Sequence, residues 1–264
     1  MKKFKWSRLY IAFVLIILYI PIFYLIFYSF SSGHNMDHFE HFTWAHYQDL
    51  FTDNRLLAIF LQTILLALLS SLIATLIGTL GAIAVTQTKN KKAKQVLLTL
   101  NNVLMVSPDV IIGASFLIFF TALGISLGFG SVLLSHIAFS IPIVVLMILP
   151  QLNEFDYSLI DAARDLGTNN WQVFSKILIP GIIPGILSGF FMALTYSLDD
   201  FAVTFFVTGN GFSTLSVEIY SRARQGINLE INALSTIMFV LVMVIVMGYY
   251  FLSKRTGKKG GRLL

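Results

Sequence analysis

Acidic residues interrupt long apolar stretches of this sequence, where a carboxylate is unusual. Asp109 lies in one apolar run, and the adjacent Asp199 and Asp200 lie in another. A carboxylate near the centre of a bilayer costs about 2.5 to 3.5 kcal/mol on insertion scales, so such a residue normally faces a water-filled path or a partner. We therefore take these residues as candidates for a cargo pathway. The alternative for the adjacent pair is a structural role, in which one aspartate caps a helix break or contacts a partner subunit. The other aspartate would then only line a water-filled path.

Tyr196 precedes the adjacent pair by three and four residues, so on a continuous helix its ring shares a face with both carboxylates. An aromatic ring beside two negative charges suits a ligand whose ammonium groups are joined by methylene groups, through charge-assisted hydrogen bonds, cation–π contact and apolar packing. The predicted substrate-pathway residues are therefore Asp199, Asp200 and Tyr196, with Asp109 as a second, deeper station. We predict no catalytic residue and no metal ligand.

Transmembrane helices must position these residues. Of the 264 residues, 56% are hydrophobic and 12% are charged, whereas soluble domains carry about 25% charged residues. The apolar residues form stretches of about 20 residues or more, enough to cross about 30 Å of hydrocarbon. Backbone polar groups must be paired in lipid and short alternating strands are absent, so the fold class is an all-α integral membrane protein with about six spans. The predicted spans are Leu9–Phe30, Leu56–Thr86, Val96–Leu123, Val132–Pro150, Ile179–Val207 and Ile231–Leu252.

The basic residues predict the orientation of these spans, because cytoplasmic loops of membrane proteins carry an excess of Lys and Arg. With the N-terminus inside, all but Arg55, Arg222 and Arg224 of the 18 Lys and Arg residues fall in cytoplasmic segments. Both termini are therefore predicted to be cytoplasmic. Because these basic clusters act as topology signals, the net charge of +5 does not indicate a nucleic-acid-binding protein. No internal repeat or linker is visible, so residues 1–264 are predicted to form one membrane domain.

The cytoplasmic segment at about residues 151–179 is predicted to form two helices joined by a sharp turn. Gly167 follows an apolar helical pattern and suits a left-handed C-cap. Asn169, with Gln172 three residues later, resembles a capping box that opens a second helix over Trp171–Ile179. A short helix, a turn and another helix therefore lie between two spans.

This segment resembles the EAA loop of bacterial ABC importer permeases. The family pattern is Glu-Ala-Ala, three residues, Gly, nine residues, Ile, any residue, Leu and Pro. The corresponding residues here are Asp161, Ala162, Ala163, Gly167, Ile177, Ile179 and Pro180. Asp161 stands for Glu and Ile179 for Leu, and both changes keep the charge or the apolar character. The small side chains of the two alanines would let another protein approach the backbone closely.

The resemblance implies a type I ABC importer permease fold, in which this loop docks into a groove on an ATP-hydrolysing subunit and transmits its closure to the pore. The residues implied in ATPase coupling are Asp161, Ala162, Ala163, Gly167 and Pro180. The chain lacks a Gly-x-x-x-x-Gly-Lys-Ser/Thr phosphate loop, so it would not be an enzyme and would hold no cofactor of its own. ATP and Mg would be bound by the partner ATPase.

The implied assembly contains a second homologous permease, two ATP-binding subunits and an extracytoplasmic binding protein, in the lipid of a bacterial cell membrane. Sequences around the acidic residues further resemble the polyamine branch of this family, the spermidine/putrescine importers. The resembling segments are Ser197–Phe201, Phe206–Gly209, Ile219–Arg222 and Glu230–Ser235. The resemblance implies polyamine cargo and a polyamine-binding protein as a partner. Permeases for ferric iron or thiamine carry similar acidic segments and remain alternatives.

Two functions of other classes also fit apolar spans with buried acids. A secondary transporter usually has an internal repeat and about ten or more helices. An intramembrane aspartyl protease needs two carboxylates from separate helices, which Asp109 and Asp199 would nominally supply. Neither residue lies in a Tyr-Asp or Gly-x-Gly-Asp context. The span number and the EAA-like loop favour the importer over both.

Overall fold

The computed structural model describes residues 6–33, 36–225 and 229–260, which are mainly helical. The helices are α1 (Trp6–Tyr28), α2 (Ala45–Thr52), α3 (Asn54–Gln87), α4 (Lys91–Val106), α5 (Asp109–Ala122), α6 (Phe129–Glu154), α7 (Ser158–Asp165), α8 (Asn170–Val173), α9 (Ile179–Asp199), α10 (Ala202–Val207), α11 (Leu215–Gln225) and α12 (Leu229–Gly260). A π-helical turn, Phe174–Leu178, joins α8 to α9. Lys2, Lys3, Lys5 and Arg262, which contribute to the predicted orientation, lie outside the described residues.

Five helices in the described part of the chain are long and apolar enough to cross a membrane, and the bent pair α4 and α5 adds a sixth when counted as one span. This confirms the predicted all-α membrane fold of about six spans. Helices α1, α3, α6 and α12 begin two or three residues before the predicted starts. A helix can continue beyond the hydrocarbon because water and side chains satisfy the backbone groups at its end.

The third span is broken, so the predicted continuous helix over Val96–Leu123 is wrong. Helix α4 ends at Val106 and α5 begins at Asp109, with an angle of 104° between the two helices. Pro108 has no N–H for a helical hydrogen bond, and it disfavours helical backbone at Ser107, whose ψ is 137°. Asp109 therefore lies in the first turn of α5, where the helix dipole favours a carboxylate, and not inside a straight span.

The fifth span also differs from its prediction at both ends. Helix α9 ends at Asp199, and α10 is a separate helix, whereas Ile179–Val207 was expected as one span. Asp200 leaves the helix with an extended backbone, ψ 121°. At the other end, α8 and the π-helical turn continue into α9 without a break. The second loop helix is therefore the start of the span and not the separate helix predicted over Trp171–Ile179.

The Cα positions divide the chain into two units, residues 1–58 with 218–242 and residues 59–217 with 243–264. In the first unit, Arg222 donates to Glu218 at 2.9 Å and to Glu230 at 3.1 Å. Arg55 donates to the other oxygen of Glu218 at 2.9 Å. These bonds tie α11 to the first turns of α3 and α12. The single membrane domain over the whole chain stays a prediction.

In the second unit, glycines let α6, α9 and α3 pack closely. A Cβ on Gly185 would lie 2.9 Å from Gln151 Cγ, and one on Gly189 would lie 3.1 Å from Val144 Cγ1. On α3, a Cβ on Gly78 would lie 2.7 Å from Val144. Small residues are typical of helix contacts in membranes, where close van der Waals packing holds the helices together. These contacts fix α9, which follows the loop formed by α7 and α8 and carries Tyr196 and Asp199.

Candidate transport pathway and coupling loop

Asp109 and Tyr196 come together from two different spans. The Tyr196 hydroxyl donates to Asp109 Oδ1 at 2.8 Å, although the residues are 87 positions apart. Asp109 is exposed, whereas Tyr196 is partly buried and its ring lies edge-on to Phe139, with 4.9 Å between centroids. The second carboxylate oxygen of Asp109 stays accessible beside a ring that packing holds in place. A carboxylate and a fixed aromatic ring are a suitable pair for binding a cation.

Asp199 and Asp200 occupy different environments. Asp199 is exposed at the end of α9, whereas Asp200 is only 8% exposed. The Asp200 carboxylate accepts the N–H of Val203 at 3.3 Å, and it accepts both the N–H and the hydroxyl of Thr204, at 2.8 and 2.7 Å. It therefore caps the first turn of α10. The Tyr196 hydroxyl bonds to Asp109 instead of to either of these carboxylates.

A fully buried histidine on α6 completes the surroundings of Asp200. His136 Nδ1 lies 2.7 Å from Ser197 Oγ, and Nε2 lies 2.8 Å from Thr204 Oγ1. Nε2 is also 3.5 Å from Asp200 Oδ2, and Ser197 Oγ is 3.0 Å from Ser70 Oγ on α3. Side chains from α3, α6, α9 and α10 thus form one buried polar cluster. The sequence analysis missed His136, although an ionisable residue inside a predicted span is itself a signal.

The hydrogen bonds of this cluster define which ring nitrogen carries a hydrogen. The single hydroxyl hydrogen of Thr204 goes to Asp200 Oδ2. His136 Nε2 must therefore donate to Thr204 Oγ1. Nδ1 lies within hydrogen-bond distance of Ser197 Oγ, which in turn lies 3.0 Å from Ser70 Oγ. Ser70 donates its own hydroxyl hydrogen to the carbonyl of Ala67 at 3.2 Å.

The segment that follows α9 is anchored to α3 and α6. The N–H of Leu215 donates to Thr63 Oγ1 at 2.9 Å, and the Ser131 hydroxyl donates to the carbonyl of Val207 at 2.8 Å. These bonds fix both ends of the stretch between α10 and α11. The exposed Asp199 therefore stands on a backbone that is held in place on its C-terminal side. In the described part of the chain, no group of three or more His, Asp or Glu side chains could hold a metal ion.

Gly167 ends the first loop helix as predicted. Its φ is +81°, in the left-handed region that glycine adopts without strain. The N–H of Gly167 bonds to the carbonyl of Arg164 at 2.9 Å, and that of Thr168 bonds to the carbonyl of Ala163 at 3.2 Å. These two bonds form a Schellman motif. The turn between α7 and α8 thus depends on the glycine.

Side-chain caps begin both loop helices. The N–H of Gln172 donates to Asn169 Oδ1 at 2.8 Å, and that of Asn169 donates to Gln172 Oε1 at 3.1 Å, which confirms the predicted capping box at α8. At α7, the N–H of Ser158 donates to Asp156 Oδ1 at 3.0 Å. Hydrogen bonds from the hydroxyl and the N–H of Ser158 lower the pKa of Asp156 below its ordinary value. The Asp156 carboxylate therefore stays charged at neutral pH and stabilises the start of α7.

A π-helical turn joins the coupling loop to α9. The N–H of Ile179 bonds to the carbonyl of Phe174, five residues earlier. Pro180 follows directly, and a proline has no N–H and crowds the carbonyl four residues before it. The wider turn in front of Pro180 accommodates this ring. The proline of the EAA-like pattern therefore marks the joint between the loop and the span.

The two alanines of the loop face in opposite directions. Ala162 is exposed, whereas Ala163 is buried and packs inside the loop. Only Ala162 can therefore touch a docking protein. Large apolar side chains project nearby: Leu166 is 86% exposed, Trp171 is 71% exposed, and Leu159 is also exposed. An exposed apolar patch rimmed by charged residues is typical of a protein interaction surface. The predicted docking surface rested on the two small alanines and did not include these three side chains.

The chain is similar in sequence to known proteins. Residues 74–258 match the family described as binding-protein-dependent transport system inner membrane component. The chain is 35% identical to the spermidine/putrescine transport system permease protein PotC of Haemophilus influenzae, over 93% of this chain and 95% of that protein. It is 31% identical to the putrescine transport system permease protein PotI of Escherichia coli, over 92% of this chain and 88% of that protein.

A solved structure of an ABC transporter has a similar fold. In the crystal structure of a bacterial ABC transporter involved in the import of the acidic polysaccharide alginate, one chain matches with a TM-score of 0.73 at 17% identity. The match covers 95% of this chain and 94% of that one. At this identity the likeness shows a shared fold, that of an ABC importer permease.

The family match confirms a transport subunit and not an enzyme, and it excludes the secondary transporter and the intramembrane protease. The apolar helices and the family together make the chain a multi-pass inner-membrane protein. By its sequence over residues 74–258, its relatives and its fold, the chain belongs to the binding-protein-dependent transport system inner membrane component family, the permease subunits of ABC importers.

Proposed function

We propose that this permease forms one half of the pore of an ATP-driven importer of polyamines such as spermidine and putrescine. The relatives PotC and PotI are permeases of spermidine/putrescine and putrescine transport systems. The observation that carries the proposal is the bond of 2.8 Å between Tyr196 and Asp109, two residues on different spans. It leaves an accessible carboxylate oxygen beside an aromatic ring, which suits a protonated amine on a methylene chain.

Charge explains why such a pathway needs exposed acids. A polyamine is a multivalent cation at neutral pH, so a low-dielectric path must replace its hydration and supply counter-charge. Asp109 and Asp199 are exposed and can meet the amine groups. Asp200 already accepts hydrogen bonds from Val203 and Thr204. We therefore assign cargo contact to Asp109, Tyr196 and Asp199, and support of the α10 turn to Asp200.

The loop formed by α7 and α8 is the proposed docking element for an ATP-hydrolysing subunit. Its exposed apolar side chains, Leu159, Leu166 and Trp171, can fill a groove on that partner, with Ala162 and Asp161 beside them. The rigid Gly167 turn and the joint at Pro180 would transmit movement of the partner to α9. In this proposal the partner ATPase, present in two copies, holds ATP and Mg²⁺. A second homologous permease completes the pore, and an extracytoplasmic binding protein delivers the polyamine.

Polyamine uptake by cells that lack the gene tests the cargo assignment. The cells are complemented with the wild type, Asp109→Asn or Asp199→Asn, and uptake of labelled spermidine and putrescine is measured together with membrane levels. A hydrogen bond to a charged group contributes about 1.5 to 3 kcal/mol, so we expect uptake at limiting polyamine to fall about tenfold or more in each variant. Basal ATP hydrolysis by the purified complex should persist.

Asp49→Asn is the matched control, because Asp49 is an exposed acid on α2 outside the spans. It should leave polyamine uptake near the wild-type rate. Tyr196→Phe keeps the ring and removes the hydroxyl, so we expect a higher KM with a smaller change in maximal rate. Normal uptake by both aspartate variants at normal membrane levels would remove the physical basis of the cargo assignment. The family assignment and the coupling loop would be unaffected.

A further inference from the structure

Helix α4 begins with a cluster of exposed positive charge. Lys89 precedes the helix, and Lys91, Lys92 and Lys94 lie in its first turn, with all but Lys94 exposed. In the described part of the chain, none of the four lies within ion-pair distance of a carboxylate. The Asn90 side chain already accepts the first amides of the helix, including the N–H of Lys92 at 3.0 Å. The lysine side chains, and not the helix terminus, therefore provide the open cationic groups.

A groove of about 420 Å³ extends along one face of α4 from this cluster. It is lined by Lys92, Gln95, Val96, Thr99 and Leu100. This spacing follows a single helix face, and Val103 continues the same face one turn later. Val96, Leu100 and Val103 are all exposed. The groove therefore has a cationic residue at one end, and polar residues (Gln95, Thr99) alternate with apolar ones (Val96, Leu100) along the rest of it.

We infer that this groove binds one anionic phospholipid, with its phosphate at Lys92 and an acyl chain along Val96 and Leu100. The distance fits: Lys92 and Leu100 are eight residues apart, which is about 12 Å at 1.5 Å per residue. The ammonium group and the phosphate make a charge-assisted hydrogen bond, and Gln95 and Thr99 can donate to the headgroup and ester oxygens. This site is separate from the cargo acids and does not rest on the proposed cargo.

Charge and position favour a lipid over a protein as the occupant. Helix α4 is one arm of the bent pair that is counted as one span, so its lysines lie next to a membrane-spanning segment. Basic clusters next to membrane spans attract anionic headgroups. A zwitterionic phospholipid has no net charge and gains less from the lysines. The groove should therefore distinguish phosphatidylglycerol from phosphatidylcholine.

Native mass spectrometry of the purified permease complex tests this site. The complex is equilibrated in micelles with equal amounts of phosphatidylglycerol and phosphatidylcholine, and the lipids retained per complex are counted. We expect preferential retention of phosphatidylglycerol. Lys92→Gln should weaken it about fivefold, the factor for about 1 kcal/mol per lysine near a charged surface. The matched variant Lys91→Gln removes the same charge outside the groove and should have a much smaller effect. Thr99→Phe should abolish binding by filling the groove without changing the charge.

Three results would overturn the inference. Equal retention of the two phospholipids would show that headgroup charge is not recognised. Equal weakening by Lys91→Gln and Lys92→Gln would assign the effect to diffuse surface charge. A Gln95→Cys variant, in a chain without native cysteine, that crosslinks to another subunit in intact membranes would assign this face to a protein interface. The lipid measurement uses no polyamine, so its failure would leave the cargo proposal intact, and failed uptake would leave the lipid site intact.

Discussion

Asp199 and Asp200 are adjacent in sequence, and their side chains have different surroundings because α9 ends between them. The Asp199 carboxylate is exposed and accessible to a cation. The Asp200 carboxylate is buried among donors from Val203 and Thr204 and lies near His136. Burial without partners would be costly for a carboxylate, so these donors are what allow Asp200 to occupy that position. The two residues should therefore respond differently to the same substitution.

Replacing each aspartate by asparagine separates these roles. Asp200→Asn leaves one acceptor oxygen where the carboxylate has two, so at least one buried donor near Thr204 loses its partner. We expect a loss of about 1 to 3 kcal/mol in stability, the usual range for an unsatisfied buried group. Asp199→Asn should leave stability unchanged. The thermal unfolding midpoint of the purified permease in nanodiscs measures both.

A midpoint that falls equally in the two variants would contradict this division. The reverse order, with Asp199→Asn less stable than Asp200→Asn, would show that the exposed carboxylate has a structural role. Uptake and stability must be compared for each variant, because a drop in folded protein also lowers transport.

At the scale of helices, the coupling loop depends on one left-handed residue. Gly167 has a φ of +81° and its Schellman bonds set the direction of α8 relative to α7. Left-handed backbone costs roughly 1 to 2 kcal/mol for residues with a Cβ, and more for a β-branched side chain. We predict that Gly167→Val uncouples ATP hydrolysis from uptake in the reconstituted complex, whereas Gly167→Asn keeps most coupling because asparagine tolerates this conformation.

The ratio of polyamine imported to ATP hydrolysed measures this coupling. No neighbouring atom lies within 4 Å of a Cβ at Gly167, so a defect in the valine variant must come from backbone strain and not from a clash inside the chain. A normal ratio for Gly167→Val, at normal membrane levels, would remove the assigned role of the turn. Equal defects in the valine and asparagine variants would instead indicate that the partner requires bare glycine.

The packing of α6 against α9 makes a second prediction at this scale. A Cβ at Gly185 would lie 2.9 Å from Gln151 Cγ and 3.2 Å from both Ile148 Cα and the carbonyl oxygen of Met147. Backbone cannot move aside as a flexible side chain does, so Gly185→Ala should destabilise the permease by about 1 to 3 kcal/mol. Gly248→Ala on α12 is the matched control, because a Cβ there meets nothing within 4 Å.

Helix propensity favours alanine over glycine by about 1 kcal/mol, so Gly248→Ala should be neutral or slightly stabilising. The unfolding midpoint in nanodiscs compares the two variants directly. A midpoint for Gly185→Ala at or above that of the wild type would show that α6 and α9 can separate without loss of stability.

At the scale of the whole molecule, the distribution of Lys and Arg predicts the orientation of the chain. The chain has no native cysteine, so a maleimide reacts only with a cysteine that is introduced. We expect a membrane-impermeant maleimide to label Asn210→Cys in intact cells, because residue 210 is exposed and follows the fifth span on the side that is predicted to be outer. Ala162→Cys and Lys258→Cys should be labelled only after the membrane is opened. Labelling of Lys258→Cys in intact cells would place the C-terminus outside and contradict the predicted orientation.

Local interactions made part of this molecule predictable from sequence. Long apolar runs must become helices in lipid, because the backbone has no other partner there. The turn at Gly167 and the box formed by Asn169 and Gln172 are satisfied within a few residues, so their spacing alone predicts them. Pro108 also signals a helix break by its chemistry, yet the apolar residues around it concealed the break from a hydropathy reading.

The membrane class, the approximate spans, the loop turn and the family could all be predicted from the residues alone. Which side chains meet depends on how the helices pack. Tyr196 bonds to Asp109 across 87 positions, and His136 joins Ser197 to Thr204, because packed helices bring these groups together. The directions of Asp199 and Asp200 likewise depend on where α9 ends and on donors from α10. Such contacts depend on helix packing at long sequence separation, which hydropathy and residue spacing do not encode.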